Sequence, residues 1–367
     1  MGGALLWVFV SAAVVAYGAT FFVKRLAERI GCIDVPNDRS VHSVATPRLG
    51  GLSIIAGFAM PLMLLPLYSS AAEQVTKNLP YLFAVLAGGS CMIALGIYDD
   101  IFGSNAAKKF PVQVLAALLL IAFGFHFTIM TLPFIGRIEL GGFGYVVSLL
   151  WIVGVINAVN FIDGMDGLAT QVTLLIAAAL GVIAAMQGDM LSLVILVPLA
   201  GSLIGFFPWN RPPARIFMGD TGSLFIGLLL AACSIARSSK SPTAVVLGGP
   251  ILALALPVLD ALLVMKGRLE EDQPSLALRF VRMINADRNH IHHILIEKYG
   301  SQRKATAWIL TVTGLFGIAA IATVHPASRL FGYGLGAFTA LLVILLRARS
   351  HRTGVPVASD SDYREAV

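Results

Sequence analysis

Two adjacent carboxylates, Asp99 and Asp100, close an apolar stretch in the sequence YDD. A carboxylate at the centre of a bilayer costs about 2.5–3.5 kcal/mol on insertion scales, and less near the interface. The pair also falls at a predicted helix C-terminus, where the dipole disfavours negative charge. Something positive has to compensate, and a metal-bound diphosphate is one candidate. Farther along, NAVNFIDGMDG sets Asn157, Asn160, Asp163 and Asp166 at steps of three, which on a helix forms one slowly drifting stripe. Gly164 and Gly167 loosen the backbone there and let a ligand approach closely. The stripe supplies the hard oxygen donors that Mg²⁺ prefers; a helix-breaking polar connection is the plainer reading.

Three more polar clusters accompany these. FMGDTGS places Gly219 and Gly222 around Asp220, just ahead of an apolar helix. Thr221 or Ser223 can cap that helix. The same geometry can receive a phosphate at a helix N-terminus lined by small residues, with Asp220 holding a cation and Phe217 offering a ring to stack a base. RNHIHH gathers Arg288, His290, His292 and His293. Three close histidines suit zinc, but no cysteine stands near, and phosphate binding by Arg and protonated His accords better with the carboxylates elsewhere. A solvated histidine-rich loop is the other reading. From Asp34, DVPNDRSVHSVATPRLGG carries Arg39, His42 and Arg48 beside Pro36, Pro47 and the Gly50-Gly51 pair, a composition that reads as a shaped loop more than a store of charge. Asp260 is a further acid within an apolar stretch, about 9 Å along a helix from Lys266, able to reach the same face or to pair with a neighbour.

The elements that must position these groups are membrane helices. Of 367 residues, 57% are hydrophobic and only 13% charged, against about 25% charged in soluble domains. Apolar stretches at roughly 4–23, 51–68, 80–98, 111–127, 144–162, 168–186, 190–207, 222–237, 243–265, 305–324 and 329–346 predict an all-α, polytopic integral membrane protein with about eleven transmembrane helices. The N-terminus is expected outside and the C-terminus in the cytoplasm. With that alternation only Lys77, Arg137, Arg237, Lys240 and Arg329, of 26 Lys and Arg, fall outside, the bias that orients membrane helices. It also accounts for the net charge of +6 without nucleic acid. Residues 1–346 read as a single membrane domain and 347–367 as a polar cytoplasmic tail without periodicity, expected to be disordered. The first stretch lacks a preceding basic residue and is followed by Lys24, Arg25 and Arg29, so it reads as an uncleaved helix. Cys32, Cys91 and Cys233 show no pairing pattern and indicate neither a disulfide nor a zinc site. All five clusters fall on the inside, within reach of one site.

Order and wording of the five clusters resemble the polyprenyl-phosphate N-acetylhexosamine-1-phosphate transferases, within glycosyltransferase family 4. DVPNDRSVHSVATPRLGG is similar to that family's first cytoplasmic loop, YDD to its paired aspartates, NAVNFIDGMDGLA to its Asn/Asp motif, FMGDTGS to its Gly-Asp motif and DRNHIHHIL to its histidine motif. The resemblance spans about residues 34 to 295. It implies transfer of a sugar 1-phosphate from a UDP-N-acetylhexosamine to undecaprenyl phosphate, with release of UMP, at the bacterial inner membrane and with the active site facing the cytoplasm. It implies Mg²⁺ or Mn²⁺, with Asp220 as a ligand and Asn160 as a second. Asp99 and Asp100 then lie at the lipid phosphate and metal, with Asp163 beside them as a catalytic candidate. Phe217 and Asp166 face the uracil. Arg288, His290, His292 and His293 contact the diphosphate or sugar, and Asn157, Arg48 and His42 complete the substrate-binding set. The partners implied are the UDP-sugar, undecaprenyl phosphate and the lipid bilayer, with a homodimer admitted and nucleic acid excluded.

HIHH in place of the HHH-plus-acidic ending of the peptidoglycan branch turns the expectation away from the peptidoglycan substrate, and NDRSVH replaces the FRKRH wording common in the enterobacterial enzyme. UDP-GlcNAc is preferred, with UDP-GalNAc and UDP-FucNAc left open, and with an O-antigen, lipopolysaccharide or other cell-envelope glycan downstream. A phosphate monoester has a second pKa near 6, so the acceptor is mostly ionised at neutral pH. That favours direct in-line attack with Asp99 or Asp100 orienting it, over a two-step path through an aspartate nucleophile. A membrane transporter is the rival of another class, although transporter sites lie near the bilayer midplane and these clusters sit at the ends of apolar stretches.

Overall fold

The computed structural model describes residues 2–36, 44–64, 76–132, 136–235, 248–270 and 290–352. Its helices are α1 (Gly2–Ile30), α2 (Gly51–Leu64), α3 (Leu79–Phe102), α4 (Ala106–Ala122), α5 (Phe143–Phe161), α6 (Leu168–Gln187), α7 (Met190–Asn210), α8 (Gly219–Ile235), α9 (Gly248–Ala253), α10 (Ala255–Glu270), α11 (Ile291–Tyr299), α12 (Gln302–Ala322) and α13 (Arg329–Arg352). The described structure is mostly helical, consistent with the all-α expectation, with two short antiparallel ladders beside the helices: β1 (Ile33–Asp34) with β2 (Thr46–Pro47), and β3 (Ile129–Leu132) with β4 (Gly136–Glu139). Among the described residues, seven helices are long and apolar enough to cross a membrane, while α2 and α8 are shorter apolar helices.

α8 is the centre of the bundle. Every residue from Thr221 to Ile235 is buried, and α2, α3, α5, α6 and α7 surround it. At 1.5 Å per residue its 17 described residues span about 25 Å. Its neighbours reach it through glycines. A Cβ on Gly96 of α3 would strike the Thr221 main chain, one on Gly51 would strike Gly222, and one on Gly227 would strike Ile156 of α5. Small residues at such crossings let helix backbones approach where lipid offers no hydrophobic drive between helices.

α1 lies outside this core against α2 and α7, and its sides follow the rule for lipid-facing helices. Ala4, Val8, Ala12, Ala16 and Thr20 are buried, while Leu6, Val10, Val14, Phe22 and Leu26 are exposed. Gly201 and Gly205 of α7 meet the Phe9 and Ala13 carbonyls with no room for a side chain.

The apolar stretch predicted at 243–265 is broken, with α9 ending at Ala253 and α10 beginning at Ala255. Pro257 explains the break, since it lacks an N–H for the Ala253 carbonyl and its ring crowds that group. The Asn/Asp stripe is likewise not one helical face: α5 stops at Phe161, leaving Asn157 and Asn160 on its last turns and Asp163 and Asp166 in the loop before α6. Gly167, at φ 67°, ends that loop.

Candidate active site

The turn between α3 and α4 builds the first part of the site. Gly103, at φ 68°, donates its N–H to the Asp99 carbonyl at 2.8 Å. Asn105 then caps α4, its side chain accepting from the Lys108 N–H at 3.1 Å. The tight reversal folds Lys109 back over the end of α3, where Nζ lies 2.9 Å from Asp99 Oδ2 and 2.6 Å from Asp220 Oδ2. Ser104 Oγ donates to the other Asp99 oxygen at 2.6 Å. Part of the positive compensation expected for the twin acids is thus a lysine of the next helix.

Asp100 is compensated differently. Its carboxylate accepts from the Asp220 N–H at 2.9 Å, the Thr221 N–H at 3.1 Å and Thr221 Oγ1 at 2.6 Å. An acid on α3 therefore caps α8, in place of the local cap that Thr221 or Ser223 could have provided. The cap reaches in because residue 219 is glycine, at φ 65°, and a Cβ there would run into the Asp100 carboxylate. The end of one helix, disfavouring an acid, and the start of another, favouring it, meet at this group. Both aspartates are 8% exposed.

Asp99, Asp100 and Asp220 bring ligand oxygens within 4.8 Å of one another. Hard carboxylate donors suit Mg²⁺ or Mn²⁺, and Lys109 shows that two of them already hold a cation. The residues present fit a divalent metal. Asn160 Nδ2 donates to Ser223 Oγ at 2.8 Å and its side chain also supports Asp220. Asn157, by contrast, is joined to Gln113 of α4 by two amide hydrogen bonds, of 2.8 and 3.2 Å.

Asp163 stands between these groups and the rest. Its carboxyl is pushed up to about 8, first by desolvation and then by the charges of Asp220 and Asp100, with Arg48 pulling the other way and Asp166 adding to the rise. Asp166 Oδ2 accepts from the Ala214 N–H at 2.9 Å, which fixes the segment leading to Phe217. Asn210 holds the same segment through the Ile216 carbonyl at 3.0 Å. Phe217 is sewn by its main chain to the first loop: its N–H donates to the Pro47 carbonyl, and its carbonyl accepts from the Gly50 N–H, both at 2.9 Å. Leu49 makes that corner in the left-handed region, φ 72°, a conformation a non-glycine residue adopts only when its surroundings impose it. Arg48 pairs with Asp34 at 2.8 Å. Burial lowers its affinity for a proton, but Asp34, with Asp100 and Asp220 beyond it, raises it further. The Cys32 thiol, 3.0 Å from the Asp100 carbonyl, ties the start of the loop to the end of α3.

The histidine motif closes another side. His290 Nδ1 is 2.9 Å from Asp260 Oδ2, and its ring lies 5.1 Å from Phe161 and parallel to His292. His292 packs its Nε2 edge on Gly164, where a Cβ would collide with it. Burial first, and then His293 and His290, hold its pKa well below that of a free imidazole. His42 and Arg288 lie outside the described residues. The structure thus gathers Asp99, Asp100, Asp220 and Asn160 at the start of α8, with Asp163, Asp166, Phe217 and Arg48 around them and His290, His292 and His293 against the Asp163–Gly167 loop; Asn157 is set back in a helix contact. Lys109 is not among the groups singled out from the sequence, although a lysine just past a turn after two acids is a signal of a partner. Gln113 and Arg347 carried no local signal.

This helical multi-pass membrane protein gathers carboxylates at the start of a buried central helix, and the sequence comparisons make it an enzyme: the chain belongs to glycosyl transferase family 4, whose profile matches residues 82–238. It is 34% identical over 303 residues to a probable undecaprenyl-phosphate N-acetylglucosaminyl 1-phosphate transferase of Bacillus subtilis, covering 82% of this chain and 80% of that one. It is 33% identical to the decaprenyl-phosphate N-acetylglucosaminephosphotransferase of Mycolicibacterium smegmatis, over 93% of this chain and 88% of the other. A phospho-N-acetylmuramoyl-pentapeptide-transferase of Streptococcus pneumoniae is 36% identical, but over 52% of this chain and 59% of its own.

Proposed function

We propose that this enzyme transfers N-acetylglucosamine 1-phosphate from UDP-GlcNAc to a polyprenyl phosphate, undecaprenyl phosphate in the first instance. A phosphate oxygen of the lipid attacks the phosphorus bonded to the sugar, the bond to the UMP oxygen breaks, and UMP leaves. The observation that carries this reading is the joining of the three carboxylates at the α8 N-terminus, in a chain similar over most of its length to two enzymes named for this transfer.

Asp220, Asp99 and Asp100, with Asn160, would hold the metal. Bound there, Mg²⁺ or Mn²⁺ supplies positive charge between two anionic reactants. The chain's own groups do the rest. Lys109 and Arg48 add fixed positive charge at the acids' edge. Phe217 offers a ring face to uracil, with Asp166 holding its segment in place. His290, His292 and His293 face the diphosphate or sugar. Asp163, free of any hydrogen bond to its carboxylate among the described residues, stands open to ligand. The acceptor is ionised near neutral pH, so orientation rather than deprotonation is the main requirement, and the attack is direct.

The reading includes eleven spans, with α9 and α10 together as the ninth, the N-terminus outside and the site at the cytoplasmic face of the inner membrane. There a lipid phosphate and a cytosolic nucleotide sugar can meet. The product initiates a cell-envelope glycan. Purified protein with undecaprenyl phosphate, Mg²⁺ and a panel of UDP-sugars is expected to release UMP fastest with UDP-GlcNAc. Faster release with UDP-GalNAc or UDP-FucNAc reassigns the sugar, and no release with any of them, from folded protein, overturns the activity.

A further inference from the structure

We propose that Asp260 and Arg347 form a buried latch that positions the histidine motif, making α13 part of the support of the active site; this rests on the transfer reading above. Asp260 sits in α10 and is 3% exposed, with His290 at 4% and Arg347 at 6%. A carboxylate buried so far from water is costly unless donors surround it, and three come from two other parts of the chain. Asp260 Oδ2 meets His290 Nδ1 at 2.9 Å, while Oδ1 accepts from the Ile291 N–H at 2.9 Å and from Arg347 Nη1 at 3.3 Å. Asp260 thus takes the leading N–H of α11 and one ring nitrogen of the residue before it.

Two consequences follow for the site. With Nδ1 engaged by a carboxylate, Nε2 is the nitrogen His290 presents, which is how outer partners fix the orientation of functional histidines. Phe161 and His292 on the ring's flanks hold its plane. Next, the start of α11 is pinned, and one residue on, His292 is pressed on Gly164 beside Asp163. His292 Nδ1 is buried without a hydrogen-bond partner in the described structure, so its place is set by the pinned helix and the glycine, not by a bond of its own. Among the described residues the hydrogen bonds of Asp260 run to the start of α11 and to α13, and none to the acids at the start of α8; Asp260 and Arg347 act through α11, as positioning residues.

Two variants separate positioning from charge balance. Asp260→Asn with Arg347→Gln removes both buried charges, so the fold loses no partner to a lone ion. Asp260→Glu keeps the charge against Arg347 but moves the carboxylate by one methylene. Both are expected to melt near the wild type and to lose about 10–100-fold in kcat, as outer partners of site histidines do, with KM for the polyprenyl phosphate unchanged. In ¹⁵N-histidine spectra the His290 ring resonances, assigned with His290→Gln, are expected to shift in both. Wild-type kcat in either variant overturns the latch, as does an unmoved His290 signal. If only one variant folds, that one decides. If the wild type releases UMP from no UDP-sugar, the transfer reading fails, while the ring resonances still report whether Asp260 holds His290.

Discussion

The acidic side of the site, where α3 meets α8, is fixed by main chain against main chain, whereas the histidine side on α11 is held by side-chain hydrogen bonds to a buried acid. On the first side Gly96, Gly51, Gly219 and Gly222 bring helices together so closely that the Asp100 carboxylate lies on the backbone of α8. On the second, one carboxylate gathers a ring, an N–H and a guanidinium. The first arrangement gives tightly placed carboxylates and tolerates no added volume. The second gives a definite ring orientation and tolerates no loss of charge or reach.

The largest effect is expected on the acidic side, at its chemistry. Asp220→Ala removes the carboxylate shared by Lys109 and the metal donors. It is expected to lower UMP release at least about 10³-fold, since a metal's charge stabilisation amounts to several kcal/mol and each 1.36 kcal/mol is tenfold in rate. Retained activity would take Asp220 out of the metal set. Gly96→Val tests the packing, since its branches have only the Thr221 main chain to push against. A loss of about 1–3 kcal/mol or more is expected, read as a lower melting temperature in detergent. Gly154→Ala on α5, with open space around it, is expected to stay within about 0.5 kcal/mol. Phe217→Ala leaves both sides standing and removes only the ring. It is expected to raise KM for the nucleotide sugar about tenfold, within the about 1–3 kcal/mol of a base–aromatic stack, with KM for the lipid unchanged.

Two smaller effects sharpen the picture. Lys109→Met leaves Asp99 and Asp220 facing each other without their cation. The metal-free protein is expected to melt lower than wild type, and Mg²⁺ to raise its melting temperature by a larger margin, because the metal then relieves all of the repulsion. Asp163 gives the pH dependence. Its folded pKa of about 8 exceeds the ordinary 3.8, so between those values the folded state holds more protons than the unfolded one. Stability from this group is full below the ordinary value and is lost as pH rises through about 8. Metal-free protein is expected to melt progressively lower from about pH 5 to pH 8, and Asp163→Asn to flatten that slope.

Much of this was readable in the residues, for physical reasons. Apolar length reports a helix whatever it packs against, so among the described residues the apolar stretches are largely helical, one of them broken ahead of Pro257. The clusters of polar residues named most of the groups that the structure brings together around the start of α8, because a carboxylate or an imidazole beside an apolar stretch is costly to keep without a partner. What stayed hidden were partnerships at long range. Nothing near Arg347 tells of Asp260, 87 residues away. Nothing near Asn157 shows that its amide faces Gln113. Nor does Asp220-Thr221 reveal that its helix is capped from α3, since local capping chemistry was present and a distant acid displaced it.

That cap also bears on how the chain is made. Lys109 leaves the ribosome almost directly after Asp99, so this acid acquires a counter-charge early. Asp100 has to wait for donors 120 and 121 residues later, about 6–24 s at 5–20 residues per second. Through that interval the end of α3 carries a carboxylate that only water can satisfy, and so it must stay at the surface of the membrane. The bundle can close only after α8 has been synthesised and has slipped among helices already inserted. The arrival of α8 is therefore also what brings the three carboxylates together, and a chain that stops short of it has no such cluster.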